Sequence, residues 1–247
     1  MLRELQVLRE LIMAKPNSIL IVEDEAAIRA GLVDVFIYHG FDVDFSEDGA
    51  EGLEKALTGD YDLIILDVML PNMNGFNICK EIRAVDKNQP IIMLTAKTGD
   101  EDIILGLSLG ADDYVAKPFS VAQLVLRVQA VLRRSQKSEA DIDVIYLQAG
   151  RVVDVKNLTL EVDGIVTYFT KREIQVIEYL RQNSERPVSR EELLAKVWGY
   201  QPDMEIETRT VDIHIAKIRK KIEMVPKNPE FLLTIRGAGY KLVCAEE

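Results

Sequence analysis

Leu63-Ile64-Ile65-Leu66-Asp67-Val68-Met69-Leu70-Pro71 is the stretch that decides the fold. Four large apolar residues in a row leave no polar position to face water. They read as a strand buried on both faces, which is how strands in parallel sheets between layers of helices are built. Asp67 closes the run, and Pro71 marks a turn. The carboxylate is therefore expected at the carboxyl edge of the sheet, where open α/β sheets hold their ligands.

The neighbouring segments fit that sheet. A second doubly buried run, 18–22, is β1, and Glu23-Asp24-Glu25 follows it. Residues 26–38 have helical periodicity (α1), and 41–46 alternate as an edge-like strand (β2). Helix α2 is expected over 49–57, β3 over 63–67 and α3 over 75–85. Strand β4 follows over 90–95, α4 over 100–109 with Gly110 as its stop, β5 over 114–117, and α5 over 121–134. Five βα units in alternation imply one parallel sheet with helices on both faces.

The chain has 247 residues, 48% hydrophobic and 29% charged, enough for two domains with their own cores. No apolar run approaches the ~20 residues that span a bilayer, and there is no secretory h-region with a cleavage site. Two cysteines, Cys79 and Cys244, make no disulfide framework, and a reduced cytoplasmic setting is expected. The net charge of −11 argues against a nucleic-acid partner only as a sum. Residues 1–138 carry −8 and 139–247 carry −3, but 209–221 holds Arg209, Lys217, Arg219, Lys220 and Lys221 against Asp212 alone. A local basic face matters more than the total where phosphates are the target.

Residues 1–16 form an extension. Leu2, Leu5, Leu8, Leu11 and Ile12 recur at helical spacing, as in a small docking helix. The reading preferred here is that translation starts at Met13. The first domain is expected over 17–135. The polar, aperiodic stretch 136–144 reads as a linker, and 145–247 as a second domain of different grammar. Short strands are expected over 152–155, 158–162 and 165–169. Thr170 and Ser189 each open a capping box, with helices running to about 182 and 198. A third helix covers 208–223, and a hairpin follows over 232–243. Three helices and a hairpin describe a winged helix-turn-helix.

The first domain's strand ends converge chemically. Glu23, Asp24 and Asp67 would repel one another, and burying them without a cation is costly. Mg²⁺ takes oxygen ligands, keeps several waters and bridges to phosphoryl groups, and the Met69 carbonyl offers one more oxygen. Transfer of a phosphoryl group to Asp67 needs neutralised phosphoryl oxygens. Mg²⁺, the Lys117 ammonium and the Thr95 hydroxyl would provide that. Each residue alone has an ordinary explanation as a turn or cap. Together, at four strand ends, they do not.

Four segments carry a specific resemblance: Ile21-Val22-Glu23-Asp24-Glu25, Leu66-Asp67-Val68-Met69-Leu70-Pro71-Asn72-Met73-Asn74-Gly75, Met93-Leu94-Thr95-Ala96 and Gly110-Ala111-Asp112-Asp113-Tyr114-Val115-Ala116-Lys117-Pro118-Phe119. Over 17–135 the chain resembles the receiver domains of two-component response regulators. The resemblance implies a flavodoxin-like fold, Asp67 as phosphoacceptor, Glu23 and Asp24 at Mg²⁺, Thr95 and Lys117 at the phosphoryl group, and a cis Lys117-Pro118 bond. It makes Thr95 and Tyr114 the switch pair. It also implies an active homodimer through the α4-β5-α5 face, to which Asp112, Asp113 and Arg127 would belong. Ile103, Ser108 and Gln123 replace charged residues usual there, which suggests a weaker or more apolar dimer.

Residues 145–245 resemble the OmpR/PhoB winged-helix domain through Phe169-Thr170-Lys171-Arg172-Glu173, the run 187–200, the run 208–221 and Thr234-Ile235-Arg236-Gly237-Ala238-Gly239-Tyr240. The helix 208–223 is then the recognition helix in the major groove of double-stranded DNA. Arg209, His214, Lys217 and Arg219 are its groove-facing candidates, with packing as the alternative for His214, and Arg236 a minor-groove contact. The implied partners are a sensor histidine kinase and direct-repeat DNA, with room for a contact to RNA polymerase. The chain is expected to be a transcription regulator and not an enzyme. An aspartyl-phosphate phosphatase would want an Asp where Met69 stands. A constitutive DNA binder with an unswitched receiver is the other alternative. Met69 and Lys97 position no water, so slow loss of the phosphoryl group is expected.

Overall fold

The structure, a computed structural model, describes residues 16–96, 106, 109–135, 144–148, 150–200 and 208–245. The extension before residue 16, most of the expected α4 with Ile103 and Ser108, Lys97, and linker residues 136–143 lie outside the described residues.

The apolar runs become β1 (Ser18–Val22), β3 (Leu63–Asp67) and β4 (Ile91–Thr95), each buried along its whole length. They lie in a parallel sheet of order β2-β1-β3-β4-β5, with β2 at Asp42–Ser46 and β5 at Asp113–Ala116. The period of two along each strand explains the unbroken apolar runs. Leu20, Val22, Ile64, Leu66, Ile91 and Met93 point to one face, packing with Ile78, Cys79 and Ile82 of α3 (Gly75–Val85). Ile19, Ile21, Leu63, Ile65, Ile92 and Leu94 point to the other, packing with Leu32 and Phe36 of α1 (Ala26–Tyr38) and Leu124 and Val128 of α5 (Val121–Ser135). Each fully buried Leu or Ile contributes roughly 1.5–3 kcal/mol. Helix α2 (Gly49–Ala56) is capped by the Asp48 carboxylate, which accepts from the amides of Ala50 and Glu51.

The second domain opens with a four-stranded antiparallel sheet of β6 (Val144–Tyr146), β7 (Val152–Asp154), β8 (Thr159–Val162) and β9 (Ile165–Tyr168). The first of these strands falls at the end of the expected linker. It has three residues of mixed burial, too short for a period to show. Helix α6 (Lys171–Gln182) starts in the expected capping box between Thr170 and Glu173. The second box is only half made: the Ser189 hydroxyl accepts from the Glu192 amide, but the Glu192 side chain turns to Arg186 and Tyr179. Helix α7 runs as an α turn over Arg190–Leu193 and widens to a π turn over Leu194–Trp198, ending at Gly199 in the left-handed region (φ 78°). Helix α8 (Arg209–Ile222) and the hairpin β10 (Leu232–Ile235) and β11 (Gly239–Leu242) complete the winged helix. One core joins these elements, with Phe169, Ile177, Trp198, Ile215, Ile218 and Leu232 among its members.

Candidate functional site

Strand register builds the acidic site. Val22 ends β1, so Glu23 and Asp24 emerge at the carboxyl edge. Asp67 lies opposite Leu94, and Thr95, one residue further, lies opposite Ala116. Lys117 follows, its amide donating to the Thr95 carbonyl at 2.6 Å, and the Lys117-Pro118 bond is cis. The loop after β1 is pinned by Arg29, which donates to the carbonyls of Glu23 and Asp24 at 2.8 and 2.9 Å. The loop after β3 folds back so closely that a Cβ on Gly75 would sit 2.1 Å from the Asp67 carbonyl oxygen.

Glu23, Asp24 and Asp67 bring carboxylate oxygens within 4.8 Å of one another; Glu23 and Asp67 are buried and Asp24 is exposed. Lys117 Nζ donates to Asp67 Oδ2 at 2.8 Å and to Glu23 Oε1 at 2.9 Å. It also lies 2.9 Å from Glu23 Oε2, but at an angle that leaves this buried oxygen without a hydrogen bond. Burial, reinforced by the Asp67 charge, pushes the Glu23 carboxyl up to about 7 against the pull of Lys117. Burial works against the Lys117 ammonium too, and Asp67 and Glu23 more than offset it, so it stays charged. Crowded hard oxygens, one of them orphaned, fit a small divalent cation such as Mg²⁺. Thr95 is wholly buried beside this edge. Tyr114 is buried in the apolar cluster of Ile78, Cys79, Ile82 and Ala111.

The expected dimer-face charges are not on an open surface. Asp112, Asp113 and Arg127 are all buried. Asp112 accepts from Arg83 at 3.0 Å and from the Ile91 amide at 2.9 Å. Asp113 pairs with Arg127 at 2.7 Å. The second domain covers them. Tyr200 donates to Asp113, Trp198 Nε1 donates to the Asp112 carbonyl at 3.0 Å, and Arg172 Nε stands 3.8 Å from Asp112. Sequence patterning marks surface charges but not the domain that covers them, so the contacts of Tyr200, Trp198 and Arg172 are not legible in it, nor is the pairing of Arg83 with Asp112 inside the receiver. Gln123 is half-buried.

The basic run of the recognition helix is also redistributed. Arg209, Lys220 and the wing residue Arg236 are exposed. His214 is not groove-facing: its ring packs edge-on against Trp198, and Nδ1 donates to the Thr210 carbonyl at 2.9 Å. Burial, helped by Lys217, lowers it to about 3. Lys217 is buried and, with Lys221, pairs with Glu173 inside the domain. Arg219 braces the wing, donating to the Leu232 carbonyl at 2.6 Å and to Thr234 at 2.8 Å. The periodicity of this helix, in which 211, 215, 218 and 222 face the core, leaves 214 beside the apolar stripe, and Glu173 draws 217 and 221 inward.

A five-stranded parallel sheet holding an acid pocket and a lysine at its carboxyl edge, joined to a winged helix, defines a phosphoacceptor receiver with a DNA-binding output. Comparison with known proteins agrees. Residues 19–129 match the response regulator receiver domain, and residues 164–242 match the C-terminal domain of transcriptional regulatory proteins. The sensory transduction protein RegX3 of Mycobacterium tuberculosis is 39% identical over 227 residues, covering 92% of this chain and 99% of its own. The response regulator ArlR of Staphylococcus haemolyticus is 42% identical over 225 residues, covering 91% and 98%. Among solved structures, a mutant of RitR superposes with a TM-score of 0.68 at 27% identity, over 93% of this chain and 100% of that one. The chain belongs to the OmpR/PhoB-type response regulators.

Proposed function

We propose that a sensor histidine kinase passes a phosphoryl group to the Asp67 carboxylate, and that this transfer drives receiver association through the α4-β5-α5 face and binding to direct-repeat promoter DNA. The observation that carries the reading is the reach of Lys117 to both Glu23 and Asp67 at the sheet edge. A preformed cation there holds Asp67 as the nucleophile. Once the carboxylate carries the phosphoryl group as an acyl phosphate, the Lys117 ammonium would pair with one phosphoryl oxygen and the Thr95 hydroxyl would donate to another. Mg²⁺ held by Glu23, Asp24, Asp67 and the Met69 carbonyl would neutralise charge on the incoming group. Tyr114 would follow Thr95. Arg209 and Arg236 are the contacts favoured for DNA. The exposed Met69 offers no group to orient a water, so the acyl phosphate is expected to be long-lived.

The test is labelling by acetyl phosphate with and without Mg²⁺. Wild type is expected to label only with Mg²⁺, and Asp67→Ala not at all. Labelling of Asp67→Ala at the wild-type rate would overturn the assignment, and loss of label within seconds would overturn the long lifetime.

A further inference from the structure

The turn between β2 and α2 contributes no carboxylate to the acidic pocket, yet both loops that line the pocket lean on it. The loop after β1 is tied to the last residue of β2: the Glu23 amide donates to the Ser46 carbonyl at 3.1 Å. The buried Ser46 hydroxyl in turn accepts from the Asp48 amide at 3.1 Å. The loop after β3 is tied to the start of α2. The Gly49 amide donates to the Pro71 carbonyl at 3.2 Å, and the Asn72 side-chain amide donates to the Asp48 carboxylate. The two backbones pass so closely that a Cβ on Gly49 would lie 1.9 Å from the Met73 carbonyl oxygen.

Asp48 is the joint of this arrangement. Its Oδ1 accepts from the amides of Ala50 and Glu51 at 2.8 and 3.1 Å, capping α2, and its Oδ2 accepts from Asn72. One carboxylate therefore serves a helix and a loop. Asn72 has a φ of 60°, in the left-handed region. Glycine would meet that backbone demand with less strain, so the backbone alone does not call for asparagine. What the side chain adds is its reach to Asp48. Met69, Pro71 and Asn72 are all exposed. Burial fixes little of this segment, and the polar contacts to α2 matter more.

We propose that Asp48 and Asn72 are positioning residues for the divalent cation: their hydrogen bond fixes the loop that carries the Met69 carbonyl, so that this oxygen is in place before the cation arrives. Ordering of the loop is then completed on folding and does not weaken binding. A small ion that demands near-octahedral geometry is more sensitive to a loosened ligand than a larger, more tolerant one, so Mg²⁺ gains more from this bond than Ca²⁺ does. The inference rests on the reading of the pocket as a Mg²⁺ site beside the phosphoacceptor Asp67.

The test cuts the bond from each end in the full chain. Asn72→Gly keeps the backbone conformation and leaves the Asp48 cap intact. Asp48→Ser keeps a capping oxygen and loses the oxygen that Asn72 uses. Calorimetric titration with Mg²⁺ is expected to show affinity about fivefold weaker in each variant, within the reach of one hydrogen bond to a charged group. The double variant should be no weaker than either single one, because both changes remove the same bond. Ca²⁺ affinity should fall by a smaller factor, and acetyl-phosphate labelling should return to the wild-type rate at saturating Mg²⁺. Should Asp48→Ser not fold, the contrast between Mg²⁺ and Ca²⁺ in Asn72→Gly decides. Unchanged Mg²⁺ affinity in the variants, or losses that add in the double variant, would overturn the positioning role while Mg²⁺-dependent labelling of wild type leaves Asp67 in its place. If wild type binds no Mg²⁺, the reading of the pocket falls and takes this role with it.

Discussion

At the scale of the residue, His214 shows how position overrides type. A histidine in a basic DNA-reading helix suggests a phosphate contact, yet this one is sealed against Trp198 with Nε2 unpartnered. Its proton affinity gives it a stability consequence. The folded chain keeps the ring neutral down to about pH 3, whereas the unfolded chain protonates it through pH 6.5. As pH falls below 6.5 the unfolded state binds a proton the native state refuses, so stability declines with falling pH, by up to about 1.4 kcal/mol per unit. His214→Leu removes this contribution. Its thermal midpoint is expected to fall less than that of wild type between pH 7 and pH 5. Equal slopes would mean the ring titrates normally.

At the scale of the element, the loop joining β3 to α3 passes very close over the end of β3 in the acid site. The absence of a Cβ at Gly75 lets the chain pass over the Asp67 carbonyl. Gly75→Ala must push the β3 edge or the start of α3 aside. It is expected to destabilise the receiver by about 1–3 kcal/mol, as overpacking does, and to slow acetyl-phosphate labelling by displacing Asp67. An unchanged midpoint would show that the loop yields. Legibility differed between elements for physical reasons. β1, β3 and β4 are buried on both faces, so an uninterrupted apolar run announces them, and the acids after β1 and at the end of β3, with Thr95 at the end of β4, follow from the register. β6 has three residues and one buried side chain, so no pattern marks it. The Thr170 box was readable because both partners are local. The fate of Glu192 was not, because Arg186 competes for it at 2.6 Å.

At the scale of the whole molecule, the least legible feature was the meeting of the two domains. Asp112, Asp113 and Arg127 are expected on a dimer face, and nothing in the linear pattern says that Tyr200 and Trp198 reach and help bury them. If opening of that contact couples the receiver to the output, the two activities are thermodynamically reciprocal. If a phosphoryl mimic opens the chain for DNA, DNA must open it for the mimic by the same factor. Titration of beryllofluoride and Mg²⁺ with and without saturating duplex is expected to show tighter apparent binding in the presence of DNA. The factor should equal that by which the mimic tightens DNA binding. An unchanged apparent affinity for the mimic would mean that the two sites are not coupled.

Trp198 is the chain's single tryptophan. Its indole is fully enclosed, with the Arg172 guanidinium 5.4 Å from the ring and its N–H on a receiver carbonyl. The protein thus carries its single indole fluorophore at the boundary where its halves touch. Parting them would hydrate the indole N–H and move its emission to longer wavelength. The spectrum of the unlabelled chain would then report the arrangement of the domains in real time, with no dye and no added cysteine.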